Sequence, residues 1–265
     1  MPLTDLSDLE RHDLTFDGIT RPVFRGGAGP AVIVMHEIPN LHPGVLAFGR
    51  RVIEAGFTVY LPSLFGQAGA AVGVRSTAAG LLRACVSREF AVWATGTTSP
   101  ITTWLRALAR EAHAACGGPG VGAIGMCLTG GFALAMMVDE AVVAPVLSQP
   151  SVPFPITRAH RRDLGVSDAD LAVIRQRAAA GTCVLGLRFT HDRLVPDARF
   201  ARLRDELGDG FLAIEIDSGP GNPHGLGRTA HSVLAIHYVD EPGHPTRLAL
   251  DRVLAFFRER LQPAR

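Results

Sequence analysis

The sequence predicts an α/β protein with a mostly parallel central sheet flanked by helices on both faces. Three observations carry this reading. Short continuous apolar runs such as Ala31-Val-Ile-Val-Met35 suit strands buried on both sides. Segments with apolar residues at helical spacing alternate with those runs, the pattern of parallel strands joined by crossover helices. Over 122–135 an apolar strand passes through glycines directly into a small-residue helix.

In chain order, 13–25 reads as an antiparallel edge hairpin. Ala31 to Met35, preceded by Gly-Pro and followed by His-Glu-Ile-Pro-Asn, reads as a mid-sheet strand running into a loop. Val45, Leu46, Phe48, Val52 and Ile53 place a helix over 43–55, which Gly56 ends. The alternation continues as strand 57–61, helix 105–115, strand 121–126, helix 132–139 and strand 141–147. Strand 182–189, helix 198–207, strand 211–216 and helix 246–261 complete it. Two stretches fit it poorly. One, 66–100, is rich in Ala, Gly and Thr; the other, 149–180, carries several prolines and Arg158, Arg161 and Arg162. Both follow strands, where α/β enzymes build pocket walls. The arginine cluster by itself reads as solvated surface. The chain is expected to be a single domain over 1–265, without internal repeats.

Composition narrows the function. Hydrophobic residues make up 47% and charged residues 19% of the 265 residues, and the formal net charge is +1. There is no basic excess of the kind nucleic-acid binders carry, so the expected partner is a small molecule. All 26 basic residues are arginine. A P-loop lysine, a pyridoxal Schiff base and a lysine base are therefore excluded. Cys85, Cys116, Cys127 and Cys183 lack zinc-type spacing and read as reduced thiols. With no leader and no apolar run near the roughly 20 residues of a membrane span, the expectation is a cytoplasmic protein without membrane contact. Its expected state is monomer or homodimer.

The run Gly122-Ala-Ile-Gly-Met-Cys127-Leu-Thr-Gly-Gly131 reads as a nucleophile elbow bearing a thiol. In such a turn the side chain projects from the strand's carboxyl end, the next N–H, that of Leu128, is free for an oxyanion, and the helix dipole favours thiolate. The bland alternative is a buried core cysteine. Thr129 stands where the elbow pattern has its second glycine, and is expected to limit how closely helix and strand approach.

A nucleophile needs a base, and the base an orienting acid. Asp192 follows the strand ending at Phe189, although loop aspartates also serve as caps and turn formers. His224, His231, His237 and His244 all lie between the last strand and last helix. His231, anchored by the apolar stretch after it, is the preferred base; His224 is the alternative. Nucleophile, acid, histidine is the chain order of α/β-hydrolases. Glu37, just after the Ala31 strand, is costly near a dry pocket unless it has a task such as hydrogen-bonding the resting thiol. A salt bridge to Arg50 or another arginine is its competing role.

These residues together resemble the dienelactone hydrolase family of α/β-hydrolases over nearly the whole chain. The specific points are Val34-Met-His-Glu-Ile38, Tyr60-Leu-Pro-Ser-Leu-Phe-Gly66, Gly125-Met-Cys-Leu128, Asp192 with Val195-Pro196, and His231-Ser232. The resemblance implies a Cys127–Asp192–His231 triad, Glu37 controlling the thiol, and an oxyanion held by the N–H groups of Ile38 and Leu128. It further implies hydrolysis of a small ester, lactone or thioester through a thioester acyl-enzyme, with no metal or organic cofactor. The family's carboxylate-binding arginine after the histidine is absent, Ala235 standing there; Arg83 and Arg88 are candidate substitutes. The competing function is a non-hydrolytic reactive thiol, a redox sensor or glyoxalase-like protein. A silent scaffold kept for binding is the third.

Overall fold

The computed structural model describes residues 5–262, with backbone alone at Leu81 and 83–86. The first half runs β1 (Glu10–Phe16), β2 (Ile19–Gly27), β3 (Ala31–Met35), α1 (Pro43–Glu54), β4 (Thr58–Pro62), α2 (Val74–Val86), α3 (Ile101–Cys116) and β5 (Val121–Met126). There follow α4 (Phe132–Met136), β6 (Val142–Ser148), α5 (Arg158–Arg162), α6 (Asp168–Ala179), β7 (Val184–Phe189), α7 (Asp197–Leu207), β8 (Phe211–Ile216) and α8 (Pro245–Leu261). The strands form an eight-stranded sheet in the order β1-β2-β4-β3-β5-β6-β7-β8. β1 pairs antiparallel with β2, and β2 antiparallel with β4. Every pairing from β4 across to β8 is parallel. The fold is α/β, as the alternation of elements implies.

Side chains of a strand alternate between faces, and here each face has its own core. Ala31, Ile33, Met35, Val121 and Ala123 face one way, onto Trp104, Leu105 and Leu108 of α3, Phe132 of α4, Ile174 of α6 and Phe200 of α7. Val32, Val34, Ile124, Met126, Leu185 and Leu187 face the other, onto Val45, Phe48 and Val52 of α1 and Val253, Phe256 and Phe257 of α8. β3, β4, β5 and β7 are buried along their whole length, which is why they read as mostly apolar runs, broken in β7 by Arg188, whose guanidinium pairs with Glu215.

From β3 the chain moves outward to β4, then returns across the sheet to β5 and proceeds to β6, β7 and β8. The strand order therefore reverses between β3 and β5, and at such a point the loops leaving adjacent carboxyl ends diverge and open a crevice. The loops beginning at His36 and Cys127 border it.

The two irregular stretches hold helices: α2 lies in 66–100, and α5 and α6 lie in 149–180. α6 buries Leu171, Ile174 and Ala178, spaced three and four apart, and Ser167 caps it by accepting from the Asp170 N–H at 3.2 Å. α4 is shorter than the periodicity predicts. It ends at Met136 because the chain turns there: the Asp139 N–H donates to the Met136 carbonyl at 2.9 Å and the Asp139 carboxylate accepts from the Ala141 N–H at 3.0 Å. Among the described residues no helix is long and apolar enough to cross a membrane.

Candidate active site

Cys127 leaves β5 with a positive φ of 54° and begins a 3-10 turn over Cys127–Thr129. A side chain with a Cβ occupies that left-handed region only when its surroundings impose it. They do so here. The Cys127 carbonyl accepts from the N–H groups of Gly130 and Ser151, both at 3.0 Å. The close approach falls on Gly125, where a Cβ would stand 2.0 Å from the Thr129 carbonyl oxygen, and on Gly130, where one would stand 2.5 Å from the Pro150 Cα.

Thr129 does not hold the turn open, contrary to the expectation from its replacing a glycine. It is fully buried, and its hydroxyl accepts from the Met126 N–H at 2.9 Å. The hydroxyl also lies 3.0 Å from the Met35 carbonyl, 3.2 Å from that of His36 and 3.0 Å from that of Met126, any one of which can take its single proton. The threonine thus ties the elbow to the end of β3, and the glycines beside it supply the space.

Asp192 makes a turn contact and a histidine contact at once. Its Oδ1 accepts from the Leu194 N–H at 2.9 Å and closes the turn after β7, while its Oδ2 meets His231 Nδ1 at 2.5 Å. The second His231 nitrogen, Nε2, is buried and has no hydrogen-bond partner among the described residues. Burial, the largest influence, would lower the pKa of this imidazole. The charge of Cys127, the hydrogen bond to Asp192, interaction with the Cys127 side chain and the charge of Asp192 outweigh it and raise the imidazole well above its ordinary value. The structure brings Cys127, Asp192 and His231 together. His224 is exposed and stacks edge-on against His244, 5.3 Å between centroids, away from this group.

Glu37 is placed differently from the sequence expectation. It is 1% exposed, and its Oε1 accepts from His42 Nε2 at 3.0 Å and Ser232 Oγ at 2.7 Å. Its Oε2 accepts from Gln149 Nε2 at 3.0 Å. His42 accepts the Gly44 N–H at Nδ1, so its proton sits on Nε2 and points to Glu37. With three donors engaged, the carboxylate is satisfied without the thiol, and none of these partners is Cys127. Arg50 is not its partner either, being bound to Asp8 at 2.8 Å. Instead, Glu37 joins its own loop to the loop after β6, through Gln149, and to the histidine loop, through Ser232. The Cys127 sulfur has Ser151 Oγ at 3.5 Å.

Ser151 was not singled out by sequence, nor was the residue that fixes its loop. Arg199, 1% exposed in α7, donates to the carbonyls of Pro150 at 2.7 Å, Pro153 at 2.5 Å, His160 at 2.9 Å and Asp163 at 2.8 Å. Burial lowers its pKa to about 10, opposed by the Asp163 charge. An arginine on a helix otherwise reads as solvated, and the only available signal was its place between apolar neighbours such as Phe200 and Leu203.

Ile38 is half-buried against the same core as Cys127, and its N–H has no acceptor among the described residues. Leu128 lies in the first turn of the 3-10 segment, where N–H groups have no partner within the helix. Of the two candidate substrate arginines, the Arg83 side chain lies outside the described residues. Arg88 is exposed and borders an open groove of about 360 Å³ with Val92 and Trp93. That groove abuts the Ser151 loop, because the Trp93 ring packs on Phe154 at 5.2 Å. The Arg158, Arg161 and Arg162 cluster is exposed, and Arg162 lies 3.5 Å from Asp205.

A family model described as the dienelactone hydrolase family matches residues 20–261. No curated protein sequence matches the chain. Among solved structures it is similar to a dienelactone hydrolase-like promiscuous phosphotriesterase from metagenomic libraries, at 17% identity and a TM-score of 0.61, covering 96% of this chain and 98% of that one. It is similar also to the dienelactone hydrolase of Anabaena variabilis, at 14% identity and a TM-score of 0.59, covering 96% and 99%. A cold-adapted esterase from an Arctic intertidal metagenomic library gives 16% identity and a TM-score of 0.54, covering 96% and 93%. At these identities the likeness to each structure is one of fold.

Proposed function

Since this chain belongs to the dienelactone hydrolase family, and so to the hydrolases of ester bonds, we propose that it cleaves a small ester, lactone or thioester with Cys127 as nucleophile, through a thioester acyl-enzyme. The observation that carries this reading is the His231 imidazole, bound to Asp192 at 2.5 Å on one nitrogen and bare on the other, with its pKa raised in part by Cys127. An imidazole oriented by a carboxylate and coupled to a thiol is the working part of a cysteine nucleophile.

The thiolate sulfur adds to the substrate carbonyl carbon, and the carbonyl electron pair moves onto oxygen. The N–H groups of Ile38 and Leu128 receive that oxyanion. When the intermediate collapses, the carbon–oxygen bond of an ester or lactone, or the carbon–sulfur bond of a thioester, breaks and the departing alkoxide or thiolate takes the proton from His231 Nε2, leaving a thioester on Cys127. Water then adds to the thioester and gives a proton to His231. The second collapse expels the thiolate and releases the acid. Asp192 keeps the ring in the Nδ1–H form in which Nε2 can exchange the proton. Ser151 steadies the sulfur between turnovers, and Glu37 holds the three surrounding loops in register. Arg88 and the Trp93 groove are assigned to the substrate's distal part.

Steady-state kinetics on activated esters and small lactones test this assignment. Cys127→Ala and His231→Ala are expected to lose on the order of 10³-fold or more in kcat, and Asp192→Asn a comparable amount through the wrong tautomer. Turnover by Cys127→Ala at the wild-type rate would remove the thiol from the mechanism.

A further inference from the structure

We propose that His237 is a positioning residue for His231: its ring accepts the backbone N–H groups of His231 and Ser232, and protonation of that ring frees the loop that carries the base. The inference rests on His231 being the base of the reaction proposed above.

His237 Nδ1 lies 3.4 Å from the His231 nitrogen and 3.2 Å from the Ser232 nitrogen. A ring nitrogen receiving N–H donors carries no proton of its own, so His237 is held as the neutral Nε2–H tautomer. The return bond from the His237 N–H to the Ser232 carbonyl, 3.0 Å, closes the segment into a turn. Ser232 Oγ reinforces the turn, accepting from the Ile236 N–H at 2.8 Å while donating to Glu37. Across the ring lies Phe189 of β7, edge-on at 6.2 Å. His231 thus hangs on a turn whose first two N–H groups end on a single titratable atom.

The charged and titratable groups facing His237 are Glu37 from the loop after β3, Asp192 from the loop after β7, and His231 from its own turn. Burial is the largest influence and lowers its pKa; the two carboxylates raise it, the His231 charge lowers it, and the net direction is downward. The accepting form is therefore the one present near neutrality. In acid, a proton on Nδ1 removes the lone pair, leaves two backbone donors unpaired and sets a second cation beside His231.

Two variants separate positioning from simple packing. His237→Asn places an amide oxygen where Nδ1 stands and does not titrate; His237→Phe keeps a ring against Phe189 and offers no acceptor. The wild-type kcat profile is expected to fall on the acid side with the apparent pKa of the His237 ring. His237→Asn should keep most of kcat and move that limb. His237→Phe should lose roughly 10²-fold in kcat with KM little changed, as misplacement of a reacting group does. In parallel, the backbone amide signals of His231 and Ser232 in ¹⁵N-labelled protein should shift together with the wild-type His237 ring, and should lose that step in His237→Asn. An acid limb shared by wild type and His237→Asn, with amides that ignore the ring, overturns the proposal. Amides that follow the ring in a protein that turns over no ester support the positioning and instead contradict the role given to His231.

Discussion

The hydroxyl of Thr129 and the carboxylate of Glu37 show how single side chains set the geometry around Cys127. Thr129 Oγ1 is the acceptor for the Met126 N–H at the start of a left-handed turn, and removing it strands a buried donor. Thr129→Val, nearly the same in shape, is expected to cost about 2 kcal/mol in urea unfolding and to lower kcat; unchanged values in both would show that the elbow does not depend on this hydroxyl. Glu37→Gln keeps the volume but turns an NH₂ toward one of three donors. A loss of about 2 kcal/mol is expected from that one mismatch. Both residues were visible in the sequence, but their partners were not. Glu37 meets Gln149 and Ser232, which lie 112 and 195 positions away, and no local pattern encodes such contacts. The order cysteine, aspartate, histidine was legible because each follows a strand. The role expected for Glu37 at the thiol rested on the family resemblance and on the cost of an unpartnered buried carboxylate, and its three donors remove the second of these grounds.

Among elements, the strands and most helices were legible because burial on both sides writes mostly apolar runs and burial on one side writes helical spacing. α6 was missed although Ser167, its cap, and Asp168 and Asp170 in its first turn mark a helix start; the polar residues crowding its exposed side weaken the periodicity. The loop between β6 and α6 was opaque for another reason: it is shaped by Arg199, four carbonyls held by one cation from a later helix. Arg199→Met is expected to destabilise by about 3 kcal/mol, since carbonyls left buried lose their donor, and to slow turnover through the Ser151 loop. His36 performs a similar task on the other side. Its ring is buried, accepts the Leu64 N–H at 3.0 Å and donates to the Glu37 carbonyl at 3.0 Å, so it pins the loop after β3 to the loop after β4. Burial lowers its pKa from 6.5 to about 4, against the opposing bond to Glu37. Between those values the unfolded chain binds a proton the folded one refuses. The His36 contribution is therefore complete above about pH 6.5 and declines as pH falls toward 4, by on the order of 3 kcal/mol in all. Unfolding free energies measured at pH 7 and pH 5 should show this decline in wild type and less of it in His36→Gln.

For the molecule as a whole, the parallel pairing from β3 to β8 puts the loops that bear Glu37, Cys127, Asp192 and His231 along one edge of the sheet, and the reversal of strand order between β3 and β5 opens the crevice between the first two. The exposed apolar residues Val72, Val74, Leu82, Trp93, Ile156, Leu194 and Ile236 all belong to connections leaving the carboxyl ends of β4, β6, β7 or β8. Stability responds to pH from both directions. His36 weakens the fold in acid, whereas His231, whose folded pKa is raised, contributes stability that is complete below its ordinary value and lost as pH rises through the raised one. The proposed chemistry turns on Cys127 carrying the acyl group. Intact-protein mass spectrometry after brief exposure to activated esters and small lactones tests it most directly. A transient acyl adduct on wild type, mapped to Cys127 and absent from Cys127→Ala, is expected. Hydrolysis by wild type and Cys127→Ala alike, with no adduct on either, would contradict it.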